Sequence, residues 1–268
     1  MMAGARRSVG LAVLGLGILV PFVPLVLSAV STGWRYPAIV PSTFSSRGLG
    51  LVTDPDGEVL PALVTSFTVA AIVAVLASIV GLCGGRAMGL HRFRGKRLVQ
   101  FLLLAPVLVP GFAVTFGLQV FFIRYGLADT VTGVVLVHLV PTIPYVTLVL
   151  GATFAAFDVA YEEQARVLGA GPVRTFLTVT LPAVRPGLCV AALFAFLISW
   201  SEYVLTLLVG GGTVRTLPLL LFSYIGSADL TEAAAVGLVF ALPPLVLVIA
   251  ASRYLTGAQA GVVGLGRL

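Results

Sequence analysis

Few side chains in this sequence could perform chemistry, because only 10% of its 268 residues are charged. A nucleotide-binding loop requires the pattern G-x-x-x-x-G-K-[ST], in which backbone amides surround the phosphates. The nearest candidate, Gly89 with Gly95 and Lys96, has five residues between its glycines and Arg97 in place of the hydroxyl residue. We therefore expect this chain to bind no nucleotide and to hold no other cofactor.

Catalytic groups of other kinds are also missing from the sequence. It contains no G-x-S-x-G motif, no His or Cys cluster with metal-ligand spacing, and no pair of carboxylates at matched depth. Cys83 and Cys189 are expected to be small packing residues rather than a disulfide or a metal site. The sequence thus argues against a membrane-embedded enzyme and predicts no catalytic residue and no metal ligand.

Three polar residues within apolar stretches are candidates for a solute pathway, because polar and ionisable groups are costly in hydrocarbon. His138 lies mid-span, where an interhelical hydrogen bond is a commoner role than lining a pathway. Glu202, beside Ser201, lies roughly 22 Å along its span at 1.5 Å per residue, toward the outer side. Its carboxylate could attract a cationic solute, and a structural or gating role fits it equally well.

The composition places these residues in a membrane protein. Hydrophobic residues make up 59% of the chain and the mean hydropathy is +1.12, against about 45–50% apolar residues in a soluble domain. The net charge of +6 does not indicate nucleic acid binding, since the sequence has no nucleic-acid motif and no basic and aromatic stripe. We expect membrane lipid as a partner, and no nucleic acid.

Apolar runs predict six transmembrane helices in a single all-α domain covering residues 1–268. The predicted spans are residues 9–30, 61–82, 98–123, 130–154, 188–209 and 231–254. The first run is about 22 residues long, longer than the core of a signal peptide, so we expect it to be retained as a span. Gly84 and Gly85 are expected to end the second span.

Two of the predicted spans contain pairs of prolines, Pro106 with Pro110 and Pro141 with Pro144. Proline removes a backbone hydrogen bond, which a membrane helix tolerates where neighbouring helices or a water-filled cavity supply partners. Both spans are therefore expected to face the protein interior rather than lipid.

The positions of the basic residues predict that both chain termini are cytoplasmic. With the amino terminus inside, twelve of the 16 Lys and Arg residues fall in inner segments and four, Arg35, Arg47, Arg124 and Arg215, in outer ones. An excess of basic residues in cytoplasmic segments is the usual rule for membrane proteins. The same orientation places residues 158–182 in the cytoplasm.

Residues 158–182, here named the polar segment, differ from the apolar sequence around them. Asp158 is expected to cap a short helix with two glutamates in its first turn, where carboxylates favour the helix dipole. Gly169 is expected to end that helix, and Pro172 to begin a second one, since proline is favoured at the first helical position. The sequence predicts two short helices with a hinge between them.

The second short helix is expected to have one apolar and one polar face. The apolar face comprises Val173, Phe176, Leu177 and Thr180, and the other face Arg174, Thr175 and Thr178. Pro182 disfavours helix at Leu181, so we expect it to end the unit before the fifth span.

The polar segment resembles the cytoplasmic coupling loop of ABC-importer permeases, whose motif is E-A-A-x3-G-x9-I-x-L-P. Glu163, Gln164 and Ala165 stand at the E-A-A positions, Gly169 at the glycine, Val179 at the isoleucine, and Leu181 with Pro182 at the end. The spacing is kept throughout, and the two departures, Gln164 for Ala and Val179 for Ile, change neither helix length nor hinge. An ordinary helix-turn-helix between two spans is the alternative interpretation.

This resemblance implies a type I ABC permease with the MetI-like fold, in which the loop fits a cleft on the ATP-hydrolysing subunit. The residues that it implicates in coupling are Glu162, Glu163, Ala165, Gly169, Ala170, Pro172, Phe176, Leu181 and Pro182. ATP would then be bound and hydrolysed by a separate subunit, and this chain would not be an enzyme.

A second resemblance, over residues 35–49 and 196–224, concerns the subgroup. These stretches are similar to the permeases of spermidine/putrescine, ferric iron, thiamine and phosphonate importers more than to the carbohydrate group. They imply a small polar solute without naming it. A carbohydrate permease of the same fold and an ion-coupled secondary transporter remain as alternatives.

The resemblance also implies an assembly and a location. The chain would be a multi-pass protein of the inner (cytoplasmic) membrane, paired with a second permease subunit, either homologous or identical. Two ATPase subunits would dock below it and a periplasmic or lipid-anchored solute-binding protein above. Transport would proceed by alternating access, with motion passed through the polar segment to the proline-containing spans.

Overall fold

The computed structural model of the protein describes residues 17, 20–34, 37–108 and 111–264. Within these ranges the chain forms helices and turns, with one isolated bridge between Ser31 and Phe44. The helices are α1 (Phe22–Ala29), α2 (Arg47–Thr53), α3 (Val59–Leu90), α4 (Lys96–Leu108), α5 (Gly111–Arg124), α6 (Val131–Ala155), α7 (Ala160–Val167), α8 (Pro172–Thr175), α9 (Leu181–Trp200), α10 (Val204–Gly210), α11 (Leu217–Gly226) and α12 (Leu230–Gly264). The predicted all-α fold is confirmed.

Four helices of the described chain are long and apolar enough to cross a membrane. They are Val59–Leu90, Val131–Ala155, Pro172–Trp200 and Leu230–Ala251, and they correspond to the predicted second, fourth, fifth and sixth spans. The third predicted span consists of two shorter helices, α4 and α5, and Pro110 between them lies outside the described residues. Residues 9–16, 18 and 19 of the first predicted span also lie outside them, and α1 covers the end of that span.

The prediction that Pro182 ends the polar segment is wrong, because one helix runs unbroken from Pro172 to Trp200. A proline inside a helix crowds the carbonyl group four residues before it. Here that carbonyl belongs to Thr178, within a π-helical stretch, Phe176–Thr180, whose wider turns leave room for the ring. The fifth span therefore begins at Pro172, in the second short helix of the polar segment, rather than at residue 188. It ends at Trp200 rather than at residue 209.

The prediction that Gly84 and Gly85 end the second span is also wrong, since α3 continues beyond them. A row of glycines one helical turn apart on α3 instead packs against α6; its members are Gly81, Gly85 and Gly89. A Cβ atom at Gly85 would lie 2.6 Å from the Cβ atom of Leu150. Small residues let membrane helices approach closely, so these glycines join two helices rather than stop one.

The chain divides into two compact units, residues 1–64 with 216–243, and residues 65–215 with 244–268. In the first unit, α1 and α12 meet at a cluster of alanines comprising Ala29, Ala234 and Ala235. Arg47 of α2 binds both Asp229 at 2.7 Å and Glu232 at 2.8 Å, which ties α2 to the start of α12.

Helix α6 forms the core of the second unit. More than half of its most apolar window is buried, against a third or less for the other three long helices, and it packs along α9. Pro144 is buried within it and Pro141 is partly buried, so the expected interior position is confirmed for this proline pair.

Helices α4 and α5 lie at the surface of this chain, so the expected interior position is not found within the chain itself. Leu102, Phe116 and Val120 are each more than half exposed. Of the side chains described on α5, Thr115 and Phe122 are the buried ones. The apolar outer face of these helices suits lipid or a second membrane subunit.

Candidate functional site

The first helix of the polar segment, α7, ends where the sequence predicts. The Ala170 amide donates to the Ala165 carbonyl at 3.0 Å, and the Gly169 amide donates to the Arg166 carbonyl at 2.9 Å, the two hydrogen bonds of a Schellman motif. Gly169 has a φ of +85°, a left-handed conformation that glycine adopts without steric cost. The predicted glycine stop is confirmed.

The starts of both short helices also follow the sequence. Asp158 Oδ1 accepts a hydrogen bond from the Ala160 amide at 2.9 Å, at the entrance to α7. Gly171 is extended, with φ −69° and ψ 167°, and Pro172 occupies the first position of α8. The Thr175 amide then donates to the Gly171 carbonyl at 2.9 Å. The hinge between the two helices is therefore the short stretch from Gly169 to Gly171.

Glu162 lies at the centre of the site, and its side chain is 2% exposed. Arg86 of α3 donates from both terminal nitrogens, Nη1 to Oε1 at 2.8 Å and Nη2 to Oε2 at 2.7 Å. Thr180, the last residue of the π-helical stretch, donates its hydroxyl to Oε1 at 2.5 Å. Arg166, one turn along α7, lies 3.4 Å from Oε2. One carboxylate thus joins α7 to α3 and to the beginning of the fifth span.

The charge on Glu162 is held by these donors. Its hydrogen bonds from Arg86 lower the pKa of Glu162 to about 2, against the opposing effect of burial and with help from Thr180. A bidentate pair of arginine and carboxylate fixes geometry as well as charge. The Arg86 guanidinium also lies 5.9 Å from the ring centre of Phe154, so α6 contributes to the same site.

The opposite face of the polar segment is exposed and largely apolar. Val167 and Leu168 are each 88% exposed and Val173 is 70% exposed, and the side chain of Glu163 is exposed beside them. Apolar side chains gathered on the surface and rimmed by polar residues mark a protein interaction site. This face has the character of a docking surface for another subunit.

The predicted faces of the second short helix are wrong. Val173 and Leu177, which periodicity places on the apolar face, are exposed, whereas Thr175 of the other face is buried. The Thr180 hydroxyl is needed inside as a donor to Glu162, and that of Thr175 lies 3.5 Å from the Ala170 carbonyl. Hydrogen bonding to the buried interior, rather than apolar burial, decides which face turns inward.

The residues implicated in coupling differ in their exposure. Glu162 is buried; Ala165, Ala170, Phe176 and Leu181 are partly buried; and Glu163, Gly169, Pro172 and Pro182 are exposed. The structure therefore gives Glu162 an inward role that its neighbour Glu163 does not share.

His138 is buried, and both of its ring nitrogens have partners. Nδ1 lies 2.8 Å from the hydroxyl oxygen of Ser199 in α9, and Nε2 lies 2.9 Å from that of Thr206 in α10. These contacts support the interhelical hydrogen-bonding interpretation of His138 over a place on a solute pathway.

Glu202 lies in a break between α9 and α10, which interrupts the fifth span predicted over residues 188–209. Its Oε1 accepts a hydrogen bond from the Leu205 amide at 3.1 Å, which caps α10. A cavity of about 330 Å³ opens beside it, lined mainly by Pro106, Thr115, Leu118, Pro141, Glu202 and Leu205. Of the three pathway candidates, Glu202 lines this cavity, while Ser201 donates to the Leu197 carbonyl of its own helix at 2.9 Å.

Arg86 and Thr180 are site residues that the sequence did not reveal. Arg86 is 76 residues from Glu162 in the chain, and it resembles the other basic residues near the end of the second span. Thr180 was assigned to an apolar face. A buried carboxylate needs a cationic partner. This requirement is the signal that could have identified Arg86 as a residue of the site.

The chain matches the family described as binding-protein-dependent transport system inner membrane component, over residues 81–257. The spermidine/putrescine transport system permease protein PotC of Haemophilus influenzae is 30% identical over 190 residues, which cover 71% of this chain and 74% of that protein.

Two solved structures share the fold. A bacterial ABC transporter involved in the import of the acidic polysaccharide alginate has a chain with a TM-score of 0.66 and 17% identity, covering 94% of this chain and 96% of that one. The alginate transporter in complex with its alginate pentasaccharide-bound periplasmic protein gives a TM-score of 0.61 and 13% identity over the same shares. This protein belongs to the family of binding-protein-dependent transport system inner membrane components, and it is a permease subunit of an ABC importer rather than an enzyme.

Proposed function

We propose that this permease forms the translocation pathway for a small polar solute of the polyamine class, delivered by a solute-binding protein. The observation that supports this class is the 30% identity to a spermidine/putrescine permease over most of both chains. A second support is Glu202, which lines a cavity of about 330 Å³ at a helix break. Broken helices form solute sites in transporters, and a carboxylate there would balance an ammonium group.

The polar segment would couple this pathway to ATP hydrolysis. The exposed apolar side chains of Val167, Leu168 and Val173, with Glu163 beside them, would fill a cleft on the ATPase subunit. Gly169 and Pro172 set the angle between the two short helices. A partner that binds this face would therefore contact both helices. The nucleotide would be held by that partner, and this chain would hold no cofactor.

The complete importer would contain a second permease subunit, two ATPase subunits and a periplasmic or lipid-anchored binding protein. The exposed apolar faces of α4 and α5 suit the second permease. The periplasmic protein bound to the alginate transporter supports a similar partner here. In the inner membrane, both termini of this chain would be cytoplasmic, in keeping with the distribution of its basic residues.

Uptake by proteoliposomes containing the complete importer tests the substrate class. Labelled putrescine and spermidine are expected to accumulate when ATP is enclosed with the ATPase subunits. Glu202→Gln is expected to lower this uptake about tenfold, the equivalent of roughly 1.4 kcal/mol of lost charge pairing. The matched control is Asp56→Asn, a carboxylate in a predicted outer loop, which is expected to leave uptake unchanged.

Other solutes decide between the alternatives. Uptake of thiamine, ferric iron, a phosphonate or an oligosaccharide in place of the amines would contradict the polyamine class. Uptake that persists without ATP and collapses with the proton gradient would instead indicate an ion-coupled transporter.

A further inference from the structure

Glu162 differs from its neighbour Glu163, the first residue of the coupling motif. Glu163 is exposed on the face proposed to bind the ATPase, whereas the Glu162 side chain is 2% exposed and faces the helices of its own chain. Glu162 therefore acts through contacts within the permease itself.

The hinges at the ends of α7 make an internal attachment necessary. Gly169 and Gly171 connect it to α8, and a non-helical turn at residues 156–159 connects it to α6. A helix of eight residues between two such connections could turn when pushed, and its movement would then be lost in the hinges. Coupling over a distance requires contacts between packed elements that move together.

Two of the donors to Glu162, which lie on other elements, supply such contacts. Arg86 belongs to α3, a helix of 32 residues long enough to cross the membrane. Thr180 belongs to the π-helical stretch at the beginning of the fifth span, and π-turns are frequent at functional positions of helices. The carboxylate of α7 is thereby bonded to the inner ends of two spans at once.

The presence of an ion pair between Glu162 and Arg86 also indicates that Glu162 fixes the arrangement of the helices. Apolar residues of similar volume often stabilise a fold as well as a buried ion pair does. A bidentate guanidinium and carboxylate, in contrast, hold two helices in one defined arrangement. Stability alone does not require this chemistry at the site.

We propose that Glu162 is a positioning residue that locks α7 to α3 and to the π-helical stretch, so that movement of α7 by an ATPase subunit passes into both spans. We name the group of Glu162, Arg86 and Thr180 the Glu162 lock. It rests on the proposed coupling of the polar segment to the ATPase, and it assigns Glu162 no contact with that partner.

The lock is tested in the complete importer by measuring ATPase activity with and without putrescine-loaded binding protein. Glu162→Gln and Arg86→Gln are each expected to lower the stimulation by the binding protein about tenfold, within the usual range of coupling energies. Thr180→Val is expected to have a smaller effect in the same direction. The ATPase subunits should still co-purify, and unstimulated hydrolysis should persist, since the exposed face is unchanged.

The matched control is Arg92→Gln. Arg92 is an exposed cation just beyond the end of α3, so its loss changes the charge by the same amount without opening the lock. Stimulation by the binding protein is expected to remain at the wild-type level.

A covalent rescue separates transmission from a general loss of structure. In a chain carrying Cys83→Ala and Cys189→Ala, the pair Glu162→Cys and Arg86→Cys is joined by a short bismaleimide. The unjoined protein is expected to assemble with its ATPase and to lack stimulation, and the joined protein to regain it.

Three outcomes would overturn the lock. They are full stimulation in Glu162→Gln, loss of the ATPase subunits from that variant, and failure of the bismaleimide to restore stimulation. Absence of stimulation in the unaltered importer would contradict the proposed coupling itself, and is thus distinguished from failure of the lock.

Discussion

Glu162 is a carboxylate that stays ionised although it is buried. Its hydrogen bonds from Arg86 set its pKa at about 2, below the value of roughly 4.3 for an unperturbed glutamate. A group whose pKa is lower in the folded than in the unfolded state stabilises the fold at pH values above the unfolded pKa. That contribution is lost as the pH falls from the unfolded value toward the folded one.

We therefore expect the melting temperature of the detergent-solubilised permease to fall as the pH decreases from about 4.5 to about 3. In Glu162→Gln this part of the decrease should be absent, and the variant should be least stable relative to wild type near neutral pH. Thermal unfolding followed by tryptophan fluorescence measures both. Glu163→Gln is the control, and equal pH profiles for wild type and Glu162→Gln would contradict the prediction.

At the scale of residues, the sequence identified the right neighbourhood but not the roles. Adjacent glutamates on a helix point about 100° apart, so Glu162 and Glu163 have different surroundings although the resemblance implicates both in coupling. The inward one was recognised from its contacts with Arg86, far away in the chain, which no local pattern contains.

The two short helices of the polar segment are joined by a hinge whose geometry depends on one backbone angle. A Cβ atom at Gly169 would meet nothing within 4 Å, but φ is +85°. A substitution there has space and suffers only backbone strain, about 1 kcal/mol for alanine.

We predict that Gly169→Ala lowers solute-stimulated ATPase activity, and that Gly169→Val lowers it further, while the membrane subunits still assemble. The reason is that an L-residue relaxes φ and changes the angle between α7 and α8. Gly171→Ala is the matched control, because Gly171 also has free space but a φ of −69°. Unchanged transport in Gly169→Val would count against a coupling role for this hinge.

Helix ends were predictable where a local signal decides them. Gly169 and Pro172 act through their own backbones, and both appear where expected. Pro182 and Gly85 carry equally clear signals that failed, because a π-turn accommodates the proline and packing against Leu150 requires the glycine. Tertiary contacts outweigh local preference at those positions.

The orientation of the whole chain in the membrane is open to a direct test. We predict that Val167→Cys, at a position 88% exposed, reacts with an impermeant maleimide only from the cytoplasmic side when the permease is expressed without its ATPase subunits. Asp56→Cys, in a predicted outer segment, should react only from the other side. Both are made in a chain carrying Cys83→Ala and Cys189→Ala, and reaction of Val167→Cys from outside would overturn the proposed coupling.

At the scale of the molecule, the class of protein followed from composition and the family from one motif. The division of the third predicted span into two helices could not be predicted from composition, because apolar content alone cannot distinguish one continuous helix from α4 followed by α5. The position of α4 and α5 at the surface of the chain could not be predicted either, because it depends on lipid or on a second membrane subunit outside this sequence.

The glycine row on α3 restricts how this protein can evolve. Glycine is already the smallest residue, and a Cβ atom at position 85 or 89 would overlap Cβ and backbone atoms of α6, so any enlargement there has to be matched by a wider spacing of the two helices. The two helices are consequently expected to change together. A chimaera that takes α3 from one permease and α6 from another would bring together surfaces that have not been fitted to each other.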